Sequence, residues 1–310
     1  MPTPRIAFLI EAHNDAPQLE RLCRRLSGHA IFVHVDQKSK DFPVQKIAAL
    51  PGVTIVQPRT PVYWADYSQI EATLTMLKVA RQTADFDRFI LISGVCYPVK
   101  PLAALEAAFA QDPKREWIAT TPIRPGSHLH KLIGRRWRMK PLTSNAALDK
   151  KIRPIWNKIS GMMGRNLAKE IGMTPYFGSS WWALTNPCVT KILEFADTHP
   201  AYVRSYRSVY GVDEHFFHTI VANSEFGEFT CRIEDRGEAT NQFAPLHLIK
   251  PTGDRSFDSG DDAFALAATT DKFFIRKVSS TRCALLLDRI DRELLHLDTQ
   301  REATDTPAFR

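Results

Sequence analysis

Over the first 120 or so residues, short apolar runs alternate with amphipathic segments, and no other feature restricts the fold as tightly. Ile6-Ala7-Phe8-Leu9-Ile10 is apolar throughout and stops at Glu11. A run of that length bounded by polar residues reads as a buried strand. Asn14 or Asp15 then caps a helix, with Pro17 in its first turn and Leu19, Leu22, Cys23 and Leu26 at helical spacing. Strands follow at Ile31 to Val35 and Val53 to Val56, then a helix from Ser68 that places Ile70, Leu74 and Leu77 on one face. A strand at Phe89 to Ile92, a helix around Leu102 to Phe109 and a strand at Trp117 to Ala119 complete the series. Such alternation predicts an α/β sheet with helices on both sides. Ligands of such sheets bind beyond the carboxyl ends of the strands.

Several classes are excluded. No stretch approaches the ~18 to 20 apolar residues that a membrane helix needs, and the run ending at Ile10 is too short for a signal-peptide core and lacks a cleavage site. Cys23, Cys96, Cys188, Cys231 and Cys283 are scattered and odd in number, which argues against a disulfide framework and for a reducing cytoplasm. His215 and His218 lie at i,i+3 spacing without further ligands around them, so a structural pair is the better reading than a metal site.

Charge is unevenly placed. Residues 121–170 hold twelve basic side chains and two acidic ones, Asp149 and Glu170, a local +10 that leaves −3 for the rest of a chain whose net charge is +7. This window interrupts the strand–helix rhythm, which resumes at Trp181-Trp182-Ala183-Leu184. A helix capped by Asn186 with Pro187 at its first position follows, and another covers Asp213 to Ala222. Arg236 to Asp262 is polar and reads mostly as loop. Lys272 to Lys277 and a helix bearing Leu285, Ile290 and Leu294 close the chain before a solvated tail.

Three features could carry chemistry. Glu11-Ala12-His13-Asn14 and His34-Val35-Asp36-Gln37 end the first two strands, where a carboxylate such as Asp36 either binds the hydroxyls of a nucleoside or caps a turn. Gly211-Val212-Asp213-Glu214 puts paired acids at a helix start, either to favour its dipole or to supply a general base. Arg276-Lys277 follows an apolar run, with Arg255 upstream; adjacent cations there either grip a diphosphate or are solvated. P-loop, GxGxxG, GxSxG and EF-hand patterns do not occur, and Asp254, Asp258, Asp261 and Asp262 read as a solvated loop.

In order along residues 5 to 280, these segments resemble the core-2/I-branching β-1,6-N-acetylglucosaminyltransferase family, which also contains the peptide O-xylosyltransferases. The blocks are Ile6 to Asn14, Ile31-Phe32-Val33-His34-Val35-Asp36-Gln37-Lys38-Ser39, Trp64-Ala65-Asp66-Tyr67-Ser68 and Leu91-Ile92-Ser93-Gly94-Val95-Cys96-Tyr97-Pro98. Gly178-Ser179-Ser180-Trp181-Trp182-Ala183-Leu184, Val212-Asp213-Glu214 and Phe273-Phe274-Ile275-Arg276-Lys277 complete the seven. The chain departs from the pattern with Cys96 for Asp, Ala65 for Gly and Val212 for Pro.

The resemblance implies a GT-A fold with a mixed central sheet flanked by helices, a UDP-sugar donor carrying GlcNAc or xylose, inversion at the anomeric carbon and no required metal. It makes Glu214 the general base. Lys277, with Arg276 and Arg255, would stabilise the departing diphosphate, and Asp36 and the turn at His13 would hold the uridine. Trp64, Ser93, Cys96, Trp181, Trp182 and Asp213 would line the sugar and acceptor, with one of the two adjacent tryptophans in the core. One GT-A-like domain over 1–300 is implied: a nucleotide-binding half (1–120), a basic insert (121–175) and an acceptor and catalytic half (176–300), with 301–310 as tail. By analogy with bacterial members, it would build surface polysaccharide from the cytoplasm on a glycan or glycolipid acceptor. The insert would border the acceptor cleft or touch an anionic membrane surface. The competing readings are a nucleic-acid-binding protein, using the basic insert with Trp137 and Trp156, and an inactive family member acting as a partner subunit. The insert carries no RNA-binding or zinc-finger signature, which disfavours a nucleic-acid partner.

Overall fold

The computed structural model of the protein describes residues 3–233, 244–250 and 255–297. The main sheet is built on β1 (Ile6–Ala12), which pairs in parallel with β2 (Ala30–Val35) on one side and β4 (Arg88–Ser93) on the other. β3 (Val53–Ile55) extends this parallel array beyond β2. Past β4 the direction changes, because β8 (Trp182–Thr185) runs antiparallel to β4 and to β6 (Glu116–Pro122). β7 (Tyr176–Phe177) and β9 (Thr230–Arg232) also pair with β6, giving the order β3-β2-β1-β4-β8-β6-β7 with β9 off the path. A second sheet, β10-β11-β5, joins His247–Ile249, Phe274–Arg276 and Cys96–Pro98. The sheet is therefore mixed, and β8 lodges between two strands from the first 122 residues.

Both faces of the main sheet are covered, as alternation along β1 requires. Ile6, Phe8 and Ile10 face one core with residues of α1 (Ala16–Arg25), α2 (Val44–Ala48) and α4 (Leu102–Gln111). Ala7 and Leu9 face the other, with residues of α3 (Ser68–Thr83), α8 (Asn186–Thr198), α9 (Pro200–Tyr206) and α10 (Phe216–Ala222). α11 (Asp261–Thr269) and α12 (Ala284–Glu293) build a third cluster on the small sheet. Asp15 caps α1 by accepting from Gln18 N at 3.2 Å.

Four expectations change. The basic window is largely helical, with α5 (His128–Ile133), α6 (Ala146–Met162) and α7 (Leu167–Ile171). The cap of α8 is Thr185, whose hydroxyl accepts from Cys188 N at 3.3 Å, one residue before Asn186. The expected helix from Asp213 to Ala222 is a 3₁₀ turn, Val212–Glu214, followed by α10. The polar stretch from Arg236 to Asp262 contains β10 and the start of α11; its residues 236–243 and 251–254 lie outside the described residues, as does the tail at 301–310.

The third cluster is fastened to α1 by a buried carboxylate. Asp291 accepts from Arg21 Nη2 at 2.7 Å, from Arg25 Nη2 at 2.8 Å and from Tyr97 Oη at 2.5 Å. Asp291→Ala would remove the buried carboxylate that Arg21 and Arg25 share while Arg21 keeps Asp288 at 2.7 Å, and breaking a buried pair of this kind costs about 3–5 kcal/mol. Denaturant unfolding of the variant checks this, and a loss under about 1 kcal/mol, the scale of a surface ion pair, would show that the cluster is not held this way.

Candidate active site

Glycine and alanine in the left-handed region shape the turn that presents the paired acids. Gly211 has φ 61° and donates its N–H to Ala65 O at 3.2 Å. Ala65 itself has φ 58°, a conformation in which a Cβ is unfavourable, at the position where the family pattern carries glycine. Glu214 N donates back to Gly211 O at 2.9 Å, and Gly178 N donates to Glu214 O at 2.9 Å. A Cβ on Gly178 would lie 1.9 Å from Ala119 O and 2.5 Å from His218 Cδ2, so only glycine fits beneath the turn.

The turn brings three carboxylates into one electrostatic neighbourhood. Ser180 Oγ donates to Asp213 Oδ2 at 2.7 Å, and Thr73 Oγ1 donates to Glu11 Oε1 at 2.9 Å. Burial raises the Asp213 pKa against the pull of Ser180 and Arg276. Burial pushes the Glu11 pKa up to about 7, with Asp213 adding to the shift and Thr73 and Arg276 opposing it. Burial, and then the charge of Asp213, push the Glu214 pKa up to about 8, against Arg255. Glu11 is the member that sequence reasoning did not single out. It stood in the strand-end group, but its closeness to Asp213 is a product of the sheet.

Cations face these acids. Arg276 donates Nε to Ser93 Oγ at 3.2 Å and lays its guanidinium over Trp181, 4.5 Å from the ring centroid. It is β-paired with Cys96, whose buried Sγ accepts from Ser93 N at 3.4 Å. Burial raises the Cys96 thiol pKa, so a neutral group occupies the position where the family pattern has a carboxylate. Burial lowers the Arg276 pKa, whereas Cys96, Glu11 and Asp213 favour its charge. Lys277 is anchored through its backbone: its N–H donates to Arg255 O at 3.0 Å and its carbonyl accepts from Phe257 N at 2.8 Å. Asp15 then grips Ser280, accepting from its N–H at 2.9 Å and its hydroxyl at 2.5 Å, which ties this segment to the end of β1.

The other selected residues divide into four groups. His13 lies within electrostatic range of Asp36, Arg276 and Lys277, and burial lowers its pKa. Asp36 Oδ1 accepts from Lys38 N at 2.9 Å and Val62 N at 3.1 Å, so it organises a turn at the end of β2 while remaining beside His13. Trp64 is 72% exposed and meets Tyr210 edge-on at 5.5 Å. Tyr210, whose pKa is raised by burial and by Glu214 and Asp213, was missed; it links that rim to the acids. Trp182 is the core member of its pair, fully buried and edge-on to Phe217 at 5.4 Å, and cannot touch a substrate. His215 and His218 are buried beneath the turn, with pKa values lowered by burial to about 4 and 3. No three His, Cys, Asp or Glu side chains converge on a common metal position among the described residues.

The raised Glu214 pKa has a signed consequence for stability. The folded protein holds this proton up to about pH 8, whereas an ordinary glutamate releases it near 4.5. The folded state thus binds the extra proton, so stability from this group is full below about 4.5 and is lost as pH rises toward 8. Glu214→Gln therefore stabilises the protein by a margin that widens across that window. Thermal unfolding at several pH values tests it, and a margin that narrows with pH would contradict the assignment.

The model of the Core-2/I-Branching enzyme family matches residues 6–235, a span that includes Glu11, Asp36, Trp181, Asp213 and Glu214 and ends before Arg276 and Lys277. No curated protein matches the chain. Among solved structures, a protein assigned as a glucose-1-phosphate thymidylyltransferase from Bacillus anthracis is similar with a TM-score of 0.36 and 8% identity, covering 74% of this chain and 86% of that one. The inositol-1-phosphate CTP transferase from T. maritima is similar with a TM-score of 0.31 and 12% identity, covering 66% and 81%. Both likenesses are distant and have no bearing on the site. The family match extends from β1 through β9, and the chain belongs to the Core-2/I-Branching enzyme family of glycosyltransferases.

Proposed function

We propose that the protein is an inverting GT-A glycosyltransferase that moves a sugar, GlcNAc or xylose, from UDP to a hydroxyl of a glycan acceptor. The observation that carries this reading is a pair of acids set beside a pair of arginines: Glu214, a carboxylate of raised basicity, lies within electrostatic range of Arg255, and Asp213 within that of Arg276, with Lys277 next in the chain. Glu214, once ionised, takes the proton of the acceptor hydroxyl. The hydroxyl oxygen forms a bond to the anomeric carbon as the bond from that carbon to the diphosphate oxygen breaks. The bonding electron pair leaves on UDP, where Arg276, Lys277 and Arg255 meet the growing negative charge. Fixed cations aimed at developing charge are an effective form of transition-state stabilisation, and they assume the task a metal would perform. Glu11 and Asp213 keep Arg276 charged, and Ser93 and Trp181 fix its orientation. His13 and Asp36, at the ends of β1 and β2, would receive the uridine. The basic residues of 121–170 lie outside this catalytic set and serve the acceptor side, for which Trp64 and Tyr210 form a rim. Synthesis of a bacterial surface polysaccharide from the cytoplasm fits five free cysteines.

The test is a panel of UDP-sugars assayed for binding and for turnover or hydrolysis in excess EDTA. One donor should stabilise the protein and be turned over despite chelation. Glu214→Gln should lower turnover by about 10²–10⁴-fold, the usual contribution of general base catalysis, with UDP still bound. Lys277→Ala should weaken UDP binding by roughly tenfold or more, as expected for loss of a charge-assisted contact. Near-normal turnover by Glu214→Gln would remove it as the base. Steeply salt-dependent nucleic-acid binding with no affinity for any UDP-sugar would overturn the reading altogether.

A further inference from the structure

Helix α6 meets the rest of the protein through its polar side. Asp149 Oδ1 accepts from Leu142 N at 2.7 Å, and Arg153 Nη1 donates to Met139 O at 2.8 Å. Asn157 accepts from Arg138 N at 2.8 Å, and Ser160 Oγ donates to Arg136 O at 2.8 Å. These positions recur at helical spacing and form one stripe. The adjacent stripe is apolar and faces outward: Leu148 is 47% exposed, Ile155 and Ile159 are each 58%, and Met162 is 81%. A helix on a globular protein ordinarily does the reverse, burying its apolar face and exposing its polar one. Lys151 and Lys158, both exposed, border the apolar stripe on the side away from the docked face.

We infer that this face of α6 docks on an anionic lipid bilayer. Exposed aliphatic and methionine side chains in a row need cover, and lysines along their edge suit headgroups of negative charge. Together they match a helix lying in a membrane interface. The surrounding window, with twelve basic residues and two acidic ones, extends the same complementarity. A second copy of the chain would bring like-charged lysines together across a two-fold contact. A nucleic acid offers phosphates but nothing to cover Ile155, Ile159 and Met162. The support under α6 also reaches the neighbourhood of the acids, since Trp137, in the segment that α6 packs on, lies 5.3 Å from Tyr210, which is within electrostatic range of Glu214 and Asp213. Docking would therefore bring the acceptor side of the cleft near the lipid surface. The inference concerns a surface apart from the donor site and stands whichever sugar is transferred.

Co-sedimentation of the full chain with phosphatidylcholine vesicles, with and without phosphatidylglycerol, tests it. Binding should require the anionic lipid and fall with added salt. Ile155→Ser, Ile159→Ser and Met162→Ser combined should lower binding by roughly tenfold or more, since interfacial affinity scales with buried apolar area. All three side chains are exposed, and an unchanged circular dichroism melt verifies the fold. Lys151→Ala and Lys158→Ala, made separately, should each lower binding about fivefold. Absence of binding to anionic vesicles at low salt would overturn the inference, as would equal binding by the serine variant. A dimer in light scattering that the serine variant abolishes, with no vesicle binding by the parent chain, would reassign the face to self-association.

Discussion

Crowding Asp213 and Glu214 into one half-buried turn is the constraint on which the rest of the site depends. Two adjacent carboxylates repel each other and lose hydration, so at least one holds its proton near neutral pH unless cations are supplied. Ser180 answers part of that cost from one side, and Arg276 and Arg255 answer it electrostatically from the other. The arrangement leaves a carboxylate of raised proton affinity near fixed positive charge, the pairing that the proposed displacement of a diphosphate by a hydroxyl calls for.

Those charges are useful only if the two chain segments carrying them keep their spacing. Gly178 and Gly211 allow the acidic turn to sit against β6 and β7, with Ala65 accepting a left-handed backbone to complete the contact. The cationic segment is placed by its strand pairing with β5, by the Asp15–Ser280 hydrogen bonds and, further out, by Asp291 gripping Arg21 and Arg25. Stability and the site are linked through these ties: the same contacts that close the small sheet onto α1 hold Arg276 beside Glu11 and Asp213.

The parallel half of the sheet was legible because each strand there is a continuous apolar run between polar stops, and Asp15 with Pro17 marks a helix start. The direction of β8 was not, since Trp181 to Leu184 announces a strand but nothing in it states which way it runs or between which neighbours. β10 was missed because only three residues, His247–Ile249, form it inside a polar stretch. Thr185 and Asn186 are both good caps, and the strand end decided between them. The acids and cations of the site were named from ordered motif blocks, whereas Glu11 and Tyr210 join them only through tertiary contact. In the basic window, composition showed charge but not that α6 turns its apolar side outward; that depends on polar side chains finding backbone partners between 136 and 142.

The central claim, that Glu214 is a base whose proton affinity is raised by its surroundings, is tested most directly by the pH dependence of kcat/KM for the donor that is turned over. If the claim holds, the rate climbs with pH and levels off above about 8, and Glu214→Gln loses that limb. A profile already flat above about pH 5, where an unperturbed glutamate would be ionised, would contradict it.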